Sequence, residues 1–142
     1  MKNIEIDYLA NNMQFLKEIA GYWCREWSRS ADDEAIAKKV ISLKKLANID
    51  KAPFLLVAKD KHKLVGTAGL FIDDLDKRKD LSPWLSGVYI VEKYRNQGIA
   101  VALIDRVIEK AKKFGYKKIY LYTESAAPYY EKLGWNFLED TF

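Results

Sequence analysis

The 142 residues hold one cysteine, one histidine and three prolines. A single thiol can close no disulfide and build no thiolate metal site within one chain, and a single imidazole can anchor no histidine-based one, so no metal is expected. The lone Cys24 suits a reducing compartment, from which a cytoplasmic location is expected. No stretch approaches the roughly 18 consecutive apolar residues of a membrane span, and the opening MKNIEIDYLANN lacks the continuous apolar core of a signal peptide. Membrane association and processing are therefore not expected. The net charge of +4 is modest and comes from scattered lysines rather than a compact basic block, so no nucleic-acid partner is expected either. No repeat, low-complexity tract or Pro/Gly-rich linker divides the chain, and residues 1–142 read as a single domain.

What is present is a clear alternation of patterns. Ile4, Ile6 and Tyr8 alternate with polar residues and predict a first strand. Residues 13–27 repeat apolar side chains at helical spacing, with Phe15, Leu16, Ile19, Ala20, Trp23 and Trp27 on one side. A second helix is expected over 33–47, capped by Asp32 or Asp33, with Ile36, Val40, Ile41, Leu43 and Leu46 as its buried stripe. Residues 54–58 and 64–72 form two β-rich runs joined by a lysine-rich turn that contains His62, expected to be solvent-exposed. A polar loop over 73–83 leads to a strand over 84–91, a short loop, and a helix over 98–114 that ends at Gly115. A strand over 118–123, a short helix over 125–133 capped by Ser125, and a last strand over 135–142 complete the order. Pro128 falls in the first turn of that short helix, where a missing amide hydrogen costs little. The expectation is an α/β (α+β) three-layer domain with a mixed, mostly antiparallel central sheet flanked by helices.

The most informative stretch is Arg95-Asn96-Gln97-Gly98-Ile99-Ala100, where a strand delivers a short loop straight into a helix N-terminus. The unpaired amides and the positive end of the helix dipole there converge on one point and attract an anion. Gly98 and the small Ala100 allow close backbone approach, and Arg95 adds positive charge at the rim. No Gly-Lys-Ser/Thr follows, so this is not a nucleotide P-loop. The run resembles the Arg/Gln-x-x-Gly-x-Gly/Ala hallmark of the GNAT superfamily of acetyl-CoA-dependent N-acetyltransferases. Downstream, Tyr129-Tyr130-Glu131-Lys132-Leu133-Gly134-Trp135 resembles the family's aromatic-Tyr-x-x-x-Gly-aromatic element at the matching distance. The likeness is close over residues 85–138 and rests on element order alone before that.

The resemblance implies transfer of acetyl from acetyl-CoA to a primary amine by direct attack, with a small-molecule acceptor. A noncatalytic acyl-CoA-binding or regulatory module and a protein or peptide N-acetyltransferase are the alternatives. Backbone amides of Arg95, Asn96, Gln97, Gly98, Ile99, Ala100 and Val101 would hold the pyrophosphate. Val88 and Ile90 would hold the pantetheine arm like an added strand, and the Ile90 N–H would stabilise the thioester oxygen. Tyr130 aligns with the family's general acid for the departing thiolate, while Tyr129 aligns with a packing position. The family often carries Asn where this chain has Thr123, whose hydroxyl, or that of Ser125, would substitute in contacting the arm. Some members place a Glu on the strand before the phosphate loop, but residues 84–87 offer no carboxylate, which leaves Asp73, Asp74 and Glu92 as water-mediated bases or plain loop residues. Tyr22, Trp23 and Trp27 either line an apolar or cation-accepting acceptor pocket or pack the core, and Cys24 is expected to fill it. One family strand after the short helix has no counterpart, and a homodimer covering the exposed edge is one expected consequence.

Overall fold

The computed structural model describes residues 3–74, 78–123 and 125–138. Strand β1 (Ile4–Tyr8) leads through two 3-10 turns into helices α1 (Leu16–Trp27) and α2 (Asp33–Lys44). Strands β2 (Phe54–Asp60), β3 (Lys63–Phe71) and β4 (Trp84–Ile90), then helices α3 (Ile99–Lys113) and α4 (Ala127–Lys132), follow. The four strands form one antiparallel sheet in the order β1-β2-β3-β4.

The alternation along β2 decides the layering, because successive side chains in a strand leave opposite faces. Phe54, Leu56 and Ala58 join the cluster built on Ile99, Leu103, Ile104, Val107 and Ala111 of α3. Leu55 and Val57 join the cluster of Ile19, Ala20 and Trp23 from α1 and Leu43 from α2. The sheet is thus packed between α3 on one face and the α1–α2 pair on the other. Each fully buried Leu or Ile in these layers contributes about 1.5–3 kcal/mol of burial.

Asp32 caps α2, its carboxylate accepting from the Ala35 amide at 2.8 Å. Cys24 is buried with its thiol directed at the Ala35 carbonyl at 3.7 Å, so it fills the α1–α2 contact. His62 is exposed in the turn between β2 and β3. Ile41, expected in the α2 stripe, is instead 62% exposed, because only Leu43 of that helix reaches the sheet fully. Ser125 does not cap the short helix: the Thr123 hydroxyl accepts from the Ala126 amide at 3.0 Å, and the helix begins two residues beyond Ser125.

The expected strand over 118–123 is reduced to a single parallel bridge between Trp84 and Tyr120. Residues 135–138 form no strand, and the rest of the expected last strand lies outside the described residues. The bridge stays single because β4 turns away after it. The Leu85 N–H donates to the Tyr120 carbonyl at 2.7 Å, whereas the Val91 N–H donates across the opposite edge to Val65 at 2.8 Å. Six residues apart, the two amides would face the same way in a regular strand. One extra residue therefore sits between them, where Ser86 pairs with Gly69 but Tyr89 pairs with Thr67.

That bulge centres on Gly87, whose φ of +67° favours glycine and whose added Cβ would lie 2.8 Å from the Trp23 ring. Buried Thr67 donates to the Gly87 carbonyl at 2.8 Å and accepts from the Trp23 indole N–H at 3.2 Å. Gly87→Ala should lower unfolding stability by about 2 kcal/mol or more, from backbone strain and displacement of Trp23. Thr67→Val, which strands a buried carbonyl and an indole N–H, should cost about 1–3 kcal/mol. Urea denaturation of both variants measures the effects, and wild-type midpoints would remove the bulge from its structural role.

Candidate active site

Beyond the bulge the alternation of β4 is inverted, so the N–H and C=O groups of Val88 and Ile90 face the edge that β3 does not cover. The Arg95 side chain confirms that direction, because its Nε donates to the Ile90 carbonyl at 2.9 Å. Val91 then enters a 3-10 turn, Glu92–Tyr94, and the chain reaches α3 through two left-handed residues, Asn96 at φ +63° and Gly98 at φ +81°. Asparagine tolerates that region, and at Gly98 a Cβ would meet nothing within 4 Å, which leaves the backbone open to an approaching ligand.

The first amide to close a helical bond is that of Ala102, donating to the Gly98 carbonyl at 3.1 Å. The amides of Gly98, Ile99, Ala100 and Val101 are left unpaired by the helix, as the first turn of any helix must leave them. They and the β4 edge border one groove of about 490 Å³, lined by Val88, Ile90, Arg95, Asn96, Gly98, Ile99, Ala100 and Val101 among others. The expected phosphate loop and the expected strand edge thus meet in one place. Partial positive charge from the helix start and the Arg95 guanidinium favour an anion at one end, and the strand edge offers donors and acceptors to an extended chain beside it.

Four expected residues stand apart from that groove. Gln97 turns its amide back to the Lys93 carbonyl at 3.3 Å. Thr123 is engaged at the start of α4, and Ser125 is exposed next to it. Tyr130 packs half-buried against the α3-side core, edge-on to Tyr129 at 5.3 Å and to Trp135 at 6.2 Å. Burial, with a smaller contribution from Tyr129, raises the Tyr130 phenol above its ordinary value of 10.0. Tyr129, given a packing position by alignment, lines the groove instead and is 43% exposed.

On the α1 side an aromatic wall packs on Tyr89, the one ring of it that lines the groove. Tyr22 stacks on Tyr89 at 5.2 Å, and Trp27 meets Tyr89 edge-on at 6.2 Å and Trp23 at 5.5 Å. Arg25 lies over the Tyr22 ring and Arg95 over the Tyr89 ring. Trp23 is core, while Trp27 is 53% exposed, so the wall and the core share one helix. Of the carboxylates considered above, Asp73, Asp74 and Glu92 do not line the groove. Asp74 accepts from the Ser86 hydroxyl at 2.8 Å; burial raises its carboxyl pKa and that bond offsets part of the rise. The carboxylate that does line the groove is Glu26 of α1, which the sequence reading missed. Its signal was the four-residue spacing from Tyr22, which puts both on one helix face.

The sequence model of the acetyltransferase (GNAT) family matches residues 13–135. No curated protein matches the chain significantly. Among solved structures, a predicted acetyltransferase from Clostridium acetobutylicum, solved with acetyl-CoA, superimposes with a TM-score of 0.74 at 18% identity, covering 98% of this chain and 94% of that one. A transcriptional regulator from Bacillus halodurans gives 0.76 at 23% identity, covering 98% and 97%. A glucosamine-6-phosphate N-acetyltransferase from Arabidopsis thaliana gives 0.68 at 15% identity, covering 99% and 97%. At these identities the superpositions speak for the fold alone.

Arg95 is exposed and its loss leaves no buried group unpaired. Arg95→Ala should therefore change stability by no more than about 0.5 kcal/mol, read as an unshifted urea midpoint. A large destabilisation would show that the arginine holds the loop rather than furnishing it with charge.

Proposed function

The chain belongs to the acetyltransferase (GNAT) family, and from that premise we propose that it transfers the acetyl group of acetyl-CoA to a primary amine of a small molecule. The observation that carries the reading is the single groove shared by the unpaired amides of Gly98 to Val101 and the open edge at Val88 and Ile90. A diphosphate fits the first and an extended pantetheine arm fits the second. A groove of about 490 Å³ falls in the size range of small-molecule sites.

Acetyl-CoA supplies an activated acetyl thioester. In the proposed division of labour, the amides of Asn96 and Gly98 to Val101, with the Arg95 guanidinium, bind the diphosphate, and Gln97 braces the loop. Val88 and Ile90 bind the arm, and the Ile90 N–H donates to the thioester oxygen as negative charge builds there. Thr123 and Ser125 sit where the chain turns into α4, outside the groove, with the Thr123 hydroxyl engaged by the Ala126 amide. Tyr130 gives its proton to the leaving sulfur, and its raised pKa keeps that proton in place through the neutral range. Because burial raises the phenol above the ordinary tyrosine value, any alkaline loss of activity attributable to it should fall at higher pH than for a free tyrosine.

Isothermal titration with coenzyme A tests the binding half. Arg95→Ala and Gly98→Val should each weaken affinity about tenfold or more, the first by loss of charge-assisted bonds and the second by straining and crowding the loop. Thiol release from acetyl-CoA over a panel of amines tests the chemistry. Tyr130→Phe should lower turnover about 10²-fold with coenzyme A affinity unchanged, while Tyr129→Phe retains turnover. Full activity of Tyr130→Phe removes it from the acid role, and a selective loss in Tyr129→Phe assigns that role to the groove-lining neighbour.

A further inference from the structure

Among the described residues lining the groove, two carry charge, Arg95 and Glu26. They come from opposite directions: Arg95 from the phosphate loop and Glu26 from the last turn of α1. No ion-pair partner meets Glu26 among the described residues. A bound diphosphate neutralises Arg95, and Glu26 then remains as the charged side chain among the described residues of the lining. The same lining carries the rings of Tyr89, Tyr94 and Tyr129, the last 43% exposed. A carboxylate without an ion-pair partner among the described residues, in a groove also lined by aromatic rings, is a receptor for an ammonium group borne on an apolar body.

We propose that Glu26 is the residue that selects a cationic amine as acceptor and takes its first proton, an assignment that rests on the acetyl-transfer reading above. The ammonium nitrogen gives one proton to the Glu26 carboxylate, which is exposed and passes it to solvent. The freed lone pair forms the C–N bond as the C–S bond breaks. The sulfur receives the Tyr130 proton, and the second proton lost by the nitrogen restores the phenol through water. The sum is one amide, one thiol and one proton released for each ammonium and thioester consumed. An anionic amine would meet the Glu26 charge and be disfavoured.

The test uses the whole chain with two probes, phenethylamine, which is cationic at neutral pH, and aniline, which is largely uncharged. Glu26→Gln should raise KM for phenethylamine at least tenfold, change KM for aniline less than twofold, and leave coenzyme A affinity unchanged; Glu26→Asp should recover part of the phenethylamine loss. Equal losses for both probes, or none, overturn the assignment, as does a wild-type protein that binds coenzyme A but neither binds nor acetylates phenethylamine. Failure of the wild type to bind coenzyme A at all is a different result, and it overturns the acetyl-transfer reading underneath.

Discussion

A left-handed residue in the middle of β4 is the constraint from which the groove follows. Gly87 inserts one residue into the strand, and the insertion turns the peptide groups of Val88 and Ile90 from the covered edge to the open one. Nothing in the local backbone would hold such a kink against the regular ladder. It is held from the other side of the sheet, where Thr67 grips the Gly87 carbonyl and Trp23 of α1 grips Thr67. A three-residue chain of hydrogen bonds thus couples the position of α1, which carries Glu26 and Trp27, to the exposed edge of β4. The aromatic wall of α1 and the strand edge are set by the same buried contact.

The second structural requirement is electrostatic. The start of α3 leaves four amides unpaired, and the left-handed Gly98 keeps side-chain bulk away from them. The α3 stripe of Ile99, Leu103, Ile104, Val107 and Ala111 clamps the helix onto the sheet, so these amides are fixed in direction before any ligand arrives. Fixed dipoles lose little on binding, which is why a short loop with one arginine suffices as an anion site. The charges along the groove are then divided, positive at the helix start and negative at the end of α1.

Much of this was legible in the residues alone. The helical stripes of α1 and α3, the hairpin of β2 and β3, and the loop from Arg95 to Ala100 all appear where the periodicities and the glycine place them, because each is fixed by local pattern. Ile41 escaped the pattern because the packed face of α2 runs through Ile36, Val40 and Leu43, and the next position after Val40 lies about 100° round the helix from it. The strand expected over 118–123 shrank to one bridge because its fate depends on a bulge in another strand, which no property of those six residues records. Glu26 was hidden for a related reason. A glutamate beside a tryptophan on an amphipathic helix reads as solvated surface, and only the folding of α1 against β4 turns that surface into the wall of a groove.

The central claim is directional: the amides at the start of α3 and those of Val88 and Ile90 point into one ligand. Amide chemical shifts of the 15N-labelled chain, followed while coenzyme A is added, test it directly. Saturable shifts concentrated in residues 96–101 and at Val88 and Ile90, with the β1–β2 edge silent, are the predicted result. Saturable shifts confined to another face of the sheet, or no saturable shift at all, would contradict the account.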